Sequence, residues 1–562
     1  MKKYLLLICL LGGPLWLFAQ TPCRVQDQQP IQLLSAELKR SMKAFKKQNP
    51  PIYYVAYNYN EYEQGTVEVQ EQGVAYKGIT QNRILQVQAR AGSPRMDNTR
   101  TLKKDRTYYS LKVGEMPAIE DTGKAFITAV WRLTQQAAEE AQQDFNHVRA
   151  DAQTASSRAD DSPDFVFPPK EMFCQEEEPL VFDVDKIEKM LLSVSALTQN
   201  KPFILNSSFS FSYITGYRYF VDSVGTQLKL PQRRARLMYS VEGKTADGAK
   251  LERSQTYDVL QQAQLPRAEQ LQADVEQSIA ELQALTQAPE ADPITVPAIL
   301  KNRAMAVFVH EVLGHRVEGH RQKEDSFGKT FTDKVGQQVV APLLTIVDDA
   351  TLPSFNQIPL RGFYYYDEEG AKARPITLVE NGILKGFLMS ASPIKGFATS
   401  NGHGRGAIGK RPVARMGNTR VIASQTVSYD ELEQQLLREI KRQQKPYGFI
   451  IEDLSGGFTM TNTDYPQTFK LTPTLVYRIY PDGRKEVVRG ADMVGTPLVS
   501  FNEIIAAADD YAVFNGSCGA ESGWVPVSGI APSVLLRNLE IEKTGKAGSK
   551  PPLLPPPSQK GK

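Results

Sequence analysis

The run Val307-Phe-Val-His-Glu-Val-Leu-Gly-His-Arg-Val-Glu-Gly-His320 gathers three of the chain's five histidines and two glutamates. Neutral imidazole is the commonest protein ligand for zinc, and a carboxylate beside it can take a proton from a water that the metal activates. Zinc-protease helices usually read His-Glu-x-x-His, so that ligands four apart share one face. Here the pattern is His310-Glu311-x-x-x-His315. Five helical residues turn roughly 500°, which leaves the two rings about 140° apart on an ideal helix. Both can reach one metal only if the helix ends between them. Gly314 stands directly before His315, and glycine tolerates the left-handed conformation that ends helices. The expected arrangement is a helix through Leu313, a break at Gly314, and His315 turned back beside His310. Glu311 is then placed as general base.

A zinc hydrolase needs three protein ligands and one open position. The residues leave the third ligand open among three candidates. His320 is the next histidine, Glu318 could bind through oxygen, and Cys518 lies in the glycine-flanked turn Phe514-Asn-Gly-Ser-Cys-Gly519. A second stretch, Thr399-Ser-Asn-Gly-His-Gly-Arg-Gly406, could bring His403, Arg405 and backbone N–H groups to a substrate carbonyl or carboxylate. A plain flexible turn is an equal reading of it. No Lys-Ser/Thr follows and no strand–loop–helix pattern surrounds it, which argues against a nucleotide site. Cys518 as a cysteine nucleophile would leave the histidine array without a role. His147, on a polar helix, is read as a surface residue.

These groups need a frame. A chain of 562 residues is too long for one core, so two or more domains are expected. The pattern predicts an α+β fold. Residues 28–290 read as an N-terminal α+β domain with an antiparallel sheet, interrupted by a polar linker or loop insertion at 150–178. Residues 291–542 read as a β-rich, barrel-like domain entered by the ligand helix, which the apolar run Ile299–Val309 would begin. Residues 543–562 are Lys/Gly/Pro-rich and read as a disordered tail.

Hydrophobic residues make up 41% and charged residues 23%, ordinary for a soluble globular protein, and a net charge of +3 gives no support for a nucleic-acid partner. Residues 1–20 have two lysines, an apolar run and a small residue near the end, the pattern of a secretory signal peptide. The expected location is periplasmic or secreted, without a stable membrane anchor. Cys23, Cys174 and Cys518 would survive cleavage. An odd number in an oxidising compartment calls for one that is unpaired. Cys23 with Cys174 is a candidate disulfide, leaving Cys518 free.

Several separated stretches together resemble the TldD/PmbA family of zinc metallopeptidases. They are His310-Glu-Val-Leu-Gly-His-Arg-Val-Glu-Gly319, Asn401-Gly-His-Gly-Arg405, Pro412-Val-Ala-Arg-Met-Gly-Asn-Thr419, Gly490-Ala-Asp-Met-Val-Gly495, and Gly516-Ser-Cys-Gly519 followed by Val525-Pro-Val527. The resemblance implies Zn²⁺ held by His310, His315 and Cys518, with Glu311 as the catalytic base. It also implies a homodimer, or a heterodimer with a paralogue lacking the ligands, that cleaves peptides or unfolded proteins. Two features depart from the family pattern. His320 stands where many members carry an acidic residue, and the signal peptide is unlike the cytoplasmic members. The rival reading is a non-catalytic assembly partner with a structural zinc. A closed structural site needs no base, so the retained Glu311 argues against it.

Overall fold

The computed structural model describes residues 23–101, 111–120, 122–153, 160–323, 327–459, 461, 463 and 468–544. The signal peptide read at 1–20 and nearly all of the tail read at 543–562 lie outside the described residues.

Alternating polar and aromatic or β-branched residues build the first sheet from long strands. Tyr53–Tyr59 and Gly65–Gln70 are halves of one strand, Ile52–Gln70, which pairs antiparallel with Gly73–Ser93 on one side and Ile204–Asp222 on the other. Phe203–Ser212 and Tyr217–Ser223 likewise merge. Ladder hydrogen bonds carry the strand across residues such as Glu61 and Gly216, where the alternation falters. Gln227–Lys244 and Lys250–Val259 extend this eight-stranded sheet. The Asp222 carboxylate fixes the turn between two of the strands by accepting from the backbone N–H groups of Val224, Gly225 and Thr226. Helices Gln29–Phe45 and Lys124–Ala152 cover one hydrophobic cluster of the sheet, and Val184–Ser195 and Ala268–Gln287 cover another.

The segment read as a linker at 150–178 begins inside the helix Lys124–Ala152. Its described remainder buries Phe165 against Tyr54 and under the Arg90 guanidinium, 4.0 Å from the ring centroid. Cys23 and Cys174 form a disulfide with Cα atoms 5.6 Å apart, and Cys518 is a free, buried thiol. Among the described residues no helix is long and apolar enough to cross a membrane.

In the second half, five strands close into a barrel: Ile294–Leu300, Val534–Lys543, Ala491–Gly495, Phe469–Ile479 and Gly448–Thr459, the last pairing back with the first. A separate six-stranded sheet includes Leu344–Asp349, Pro375–Glu380, Asn418–Ala423 and the hairpin Ala512–Ala520/Gly523–Ala531. The fold is therefore α+β with a barrel in its C-terminal region. The apolar run expected to open the ligand helix at Ile299 is instead the end of a barrel strand, and the helix is Asn302–Val312. A short apolar run supports either element, and here the barrel ladder decides.

That helix is wedged between the barrel strand Gly448–Thr459 and the hairpin. Phe308 meets Phe469 and Phe501 edge to face, with centroids 5.6 and 5.0 Å away. Ala306 lies so close to the hairpin that a Cβ on Gly529 would sit 2.9 Å from its methyl group. Small residues on both elements thus let the helix approach the strands that carry Cys518.

Candidate metal centre

The helix ends at Val312 and is followed by a 3-10 turn, Gly314–Val317. The break falls where the spacing required it, but not by a left-handed glycine, since Gly314 is absent from the positive-φ residues. Gly314 is needed for space: a Cβ there would lie 2.1 Å from Sδ of Met416. The tighter turn rotates His315 back toward His310, and their ring centroids are 5.1 Å apart at 83°. Arg316 stabilises the helix end by donating to the carbonyls of Glu311 and Val312, at 3.2 and 3.3 Å.

The hairpin delivers Cys518 to the same point. Its Sγ lies 3.0 Å from Nε2 of His310 and 3.3 Å from Nε2 of His315. One donor atom from each of the three residues falls within 4.8 Å of the others. All three side chains are buried. Two imidazole nitrogens and a sulfur form a donor set that suits zinc and leaves a fourth position of the tetrahedron.

The electrostatics favour a cation. Burial alone would raise the Cys518 thiol, yet His310 and His315 pull it well below the usual thiol range. Burial opposes charge on His315, but the Cys518 sulfur and the Glu318 carboxylate outweigh it and push the imidazole up to about 10. A thiolate so placed needs positive charge beside it, and a dication supplies what protons on the rings otherwise would. The Glu311 carboxyl is raised by burial, against the pull of His310 and His315.

Behind the donors runs a buried polar circuit. Glu318, fully buried, holds Nδ1 of His315 at 3.2 Å, which turns Nε2 toward Cys518. The same carboxylate pairs with Arg321 at 2.8 Å and with Arg415 at 3.3 Å. Arg415 in turn donates to the Cys518 carbonyl and to the Ser522 hydroxyl, both at 2.7 Å. One carboxylate thus links the His315 ring to the strand that presents Cys518. Burial would raise Glu318, but His315 and Arg321 bring it down to about 2. Glu318→Gln is expected to weaken metal binding about 10- to 100-fold. It removes the charge that holds His315 while leaving Arg415 and Arg321 facing each other across a buried site. Competition with a chromophoric chelator measures the change, and unchanged affinity would contradict this role for Glu318.

The other candidates fall elsewhere. His320 is buried against Glu521 at the hairpin turn, where Arg321 also reaches, 2.9 Å from the same carboxylate. His403 does not face a site open to substrate. It is fully buried, with Nε2 3.2 Å from Asp348 and Nδ1 3.0 Å from the Asn401 side chain, so it braces its loop. Arg405, also buried, donates to the Met416 carbonyl at 2.5 Å and lies over the Tyr364 ring. Arg405 therefore supports the methionine that packs on Gly314. Sequence reasoning missed Arg415, Arg321 and Glu521. Arg415 stood inside one of the quoted stretches, whereas nothing local marked the other two.

A cavity of about 810 Å³ lies away from the three donors. Ser517, Trp524 and Pro526 of the hairpin face this cavity or the smaller one beside it. Cys518 alternates with them and points to the helix side.

Residues 293–543 match the PmbA/TldA metallopeptidase C-terminal domain. A "Metalloprotease" of Archaeoglobus fulgidus is 30% identical over 250 residues, 44% of this chain and 53% of that protein. A "Zinc metalloprotease TldD homolog" of Saccharolobus solfataricus is 26% identical over 252 residues, 44% of this chain and 51% of that protein. The matches span about half the length of these curated relatives. In fold, the chain is similar to TldE from Thermococcus kodakarensis, with a TM-score of 0.59 at 15% identity over 91% of this chain and 100% of that one. The matched region holds the helix, the turn and the hairpin that bring His310, His315 and Cys518 together, and it is this part of the chain, residues 293–543, that is similar to the PmbA/TldA metallopeptidase C-terminal domain.

Proposed function

We propose that this chain is an exported zinc-dependent peptidase in which His310, His315 and Cys518 hold Zn²⁺ and Glu311 is the general base. The observation that carries the reading is the convergence of three donors from positions 203 and 208 residues apart in the chain. A bound zinc ion supplies Lewis acidity, polarising a carbonyl and acidifying water. Glu311 takes the proton from the attacking water and returns it to the leaving amine. Burial raises its carboxyl, which makes it a stronger acceptor than a solvated glutamate. His315 is held in the required tautomer by Glu318, and Arg415 keeps the Cys518 strand in register with it.

The substrates proposed are peptides or unfolded proteins. The disulfide supports export to a periplasmic or secreted location, because such bonds persist in oxidising compartments. The similarity to a TldE structure supports pairing with a paralogue of the same fold, the alternative being a homodimer. Stripping the metal with a chelator is expected to abolish hydrolysis of a quenched peptide library, and Zn²⁺ to restore it. Undiminished peptide cleavage by protein shown to be metal-free would overturn the proposal. Cleavage of esters with peptides left intact would reassign the reaction.

A further inference from the structure

The 810 Å³ cavity lies between the long strands of the first sheet, the loop around Arg361 and Tyr364, and Trp524 of the hairpin. It is of the size that encloses small organic ligands. Five arginines line it, Arg218, Arg233, Arg234, Arg361 and Arg405, against three carboxylates, Glu177, Asp258 and Glu368. Each carboxylate is already engaged. Arg218 pairs with Glu368 at 3.1 Å, Arg233 pairs with Glu177, and Arg361 pairs with Asp258 at 3.0 Å. Asp258 is shared, since Arg236 also holds it at 2.7 Å.

Arg234 and Arg405 remain without a carboxylate among the described residues. Arg405 is 4% exposed, and its buried Nε has no hydrogen-bond partner. Arg234 is exposed into the cavity, and its side chain makes no hydrogen bond or ion pair with any described residue. Burial, then the charge of Arg361, lowers its guanidinium to about 10, so it is still a full cation at neutral pH. The like charges of the neighbouring guanidinia disfavour one another, and an anion among them relieves that repulsion. The walls include Phe363, Tyr364 and Trp524, whose rings offer apolar faces.

We propose that this cavity binds an oxyanion-bearing ligand, a carboxylate carried on an apolar or aromatic body, with Arg234 as its main anchor and Arg405 behind it. Arginine's planar fork accepts a carboxylate bidentately, and the net positive cavity concentrates anions before they dock. The ligand is either a small free acid or the C-terminus of a peptide, which present the same group. The site is separate from the three metal donors, so it stands whether or not the peptidase reading does.

Calorimetry on the full chain carrying Glu311→Gln, in which the proposed base is removed, tests this with two acid–amide pairs. Phenylacetate is compared with phenylacetamide, and Gly-Gly-Phe with its C-terminal amide. The acid is expected to bind roughly tenfold more tightly than the amide in at least one pair, the worth of one charge-assisted contact. A preference in the first pair assigns the site to small acids, and a preference confined to the tripeptides assigns it to peptide C-termini. Arg234→Met is expected to erase the preference, and Arg234→Lys to keep part of it. Equal binding of acid and amide in both pairs, or no binding of either acid, would overturn the proposal without recourse to any Arg234 variant. So would an undiminished preference in Arg234→Met.

Discussion

Glu311→Gln is expected to leave zinc binding and the unfolding temperature close to those of the unaltered chain and to lower peptide hydrolysis by about 100- to 10,000-fold. The change keeps the side chain's size and one carbonyl oxygen, so packing against Gly457 and Leu471 is preserved. A Cβ on Gly457 would lie 2.7 Å from Cγ of Glu311 and 2.1 Å from Leu471. What is lost is the basic oxygen. His310, His315 and Cys518 and their supporting circuit do not involve the Glu311 carboxylate in a hydrogen bond, so metal affinity has no reason to fall by more than a small factor. The split between retained metal and lost turnover distinguishes a base from a ligand. Full turnover by a zinc-loaded Glu311→Gln chain would eliminate Glu311 from the mechanism.

Cys518→Ala is the second large effect. It removes the only sulfur among the three donors and leaves two imidazoles facing a buried void. Zinc sites of four ligands bind with about 10–16 kcal/mol, so losing one of four costs about 2.5–4 kcal/mol, or roughly 100- to 1,000-fold in affinity. Hydrolysis is expected to disappear with the metal. The fold should persist, because the hairpin is also held by its ladder from Ala512–Ala531 to Ala520–Gly523 and by Arg415 on the Ser522 hydroxyl. Circular dichroism of the variant checks that point.

Some of this site was legible in the sequence, and the reasons are physical. His310, Glu311 and His315 declared themselves because local spacing on a helix is predictable, and the five-residue interval forced a break at Gly314. The cause of the break was not legible. It lies in Met416, about a hundred residues away, whose sulfur occupies the space of a glycine Cβ. Cys518 was one of three open candidates by chemistry, because no local pattern reports which strand will return to a helix two hundred residues earlier. Only the resemblance singled it out. Glu318 was weighed as a ligand, and its carboxylate instead sits behind His315, a distinction that depends on which ring nitrogen it meets. His403 illustrates the opposite error. A histidine between glycines was read as either a substrate-facing loop or a plain flexible turn, but Asp348 and Asn401 claim both ring nitrogens in the core.

The most direct measurement of the central claim is elemental analysis of the purified chain beside its Cys518→Ala variant, both after exhaustive dialysis. The account predicts close to one zinc per chain in the unaltered protein and almost none in the variant. Equal zinc in both, with the variant folded, would contradict a centre built from His310, His315 and Cys518.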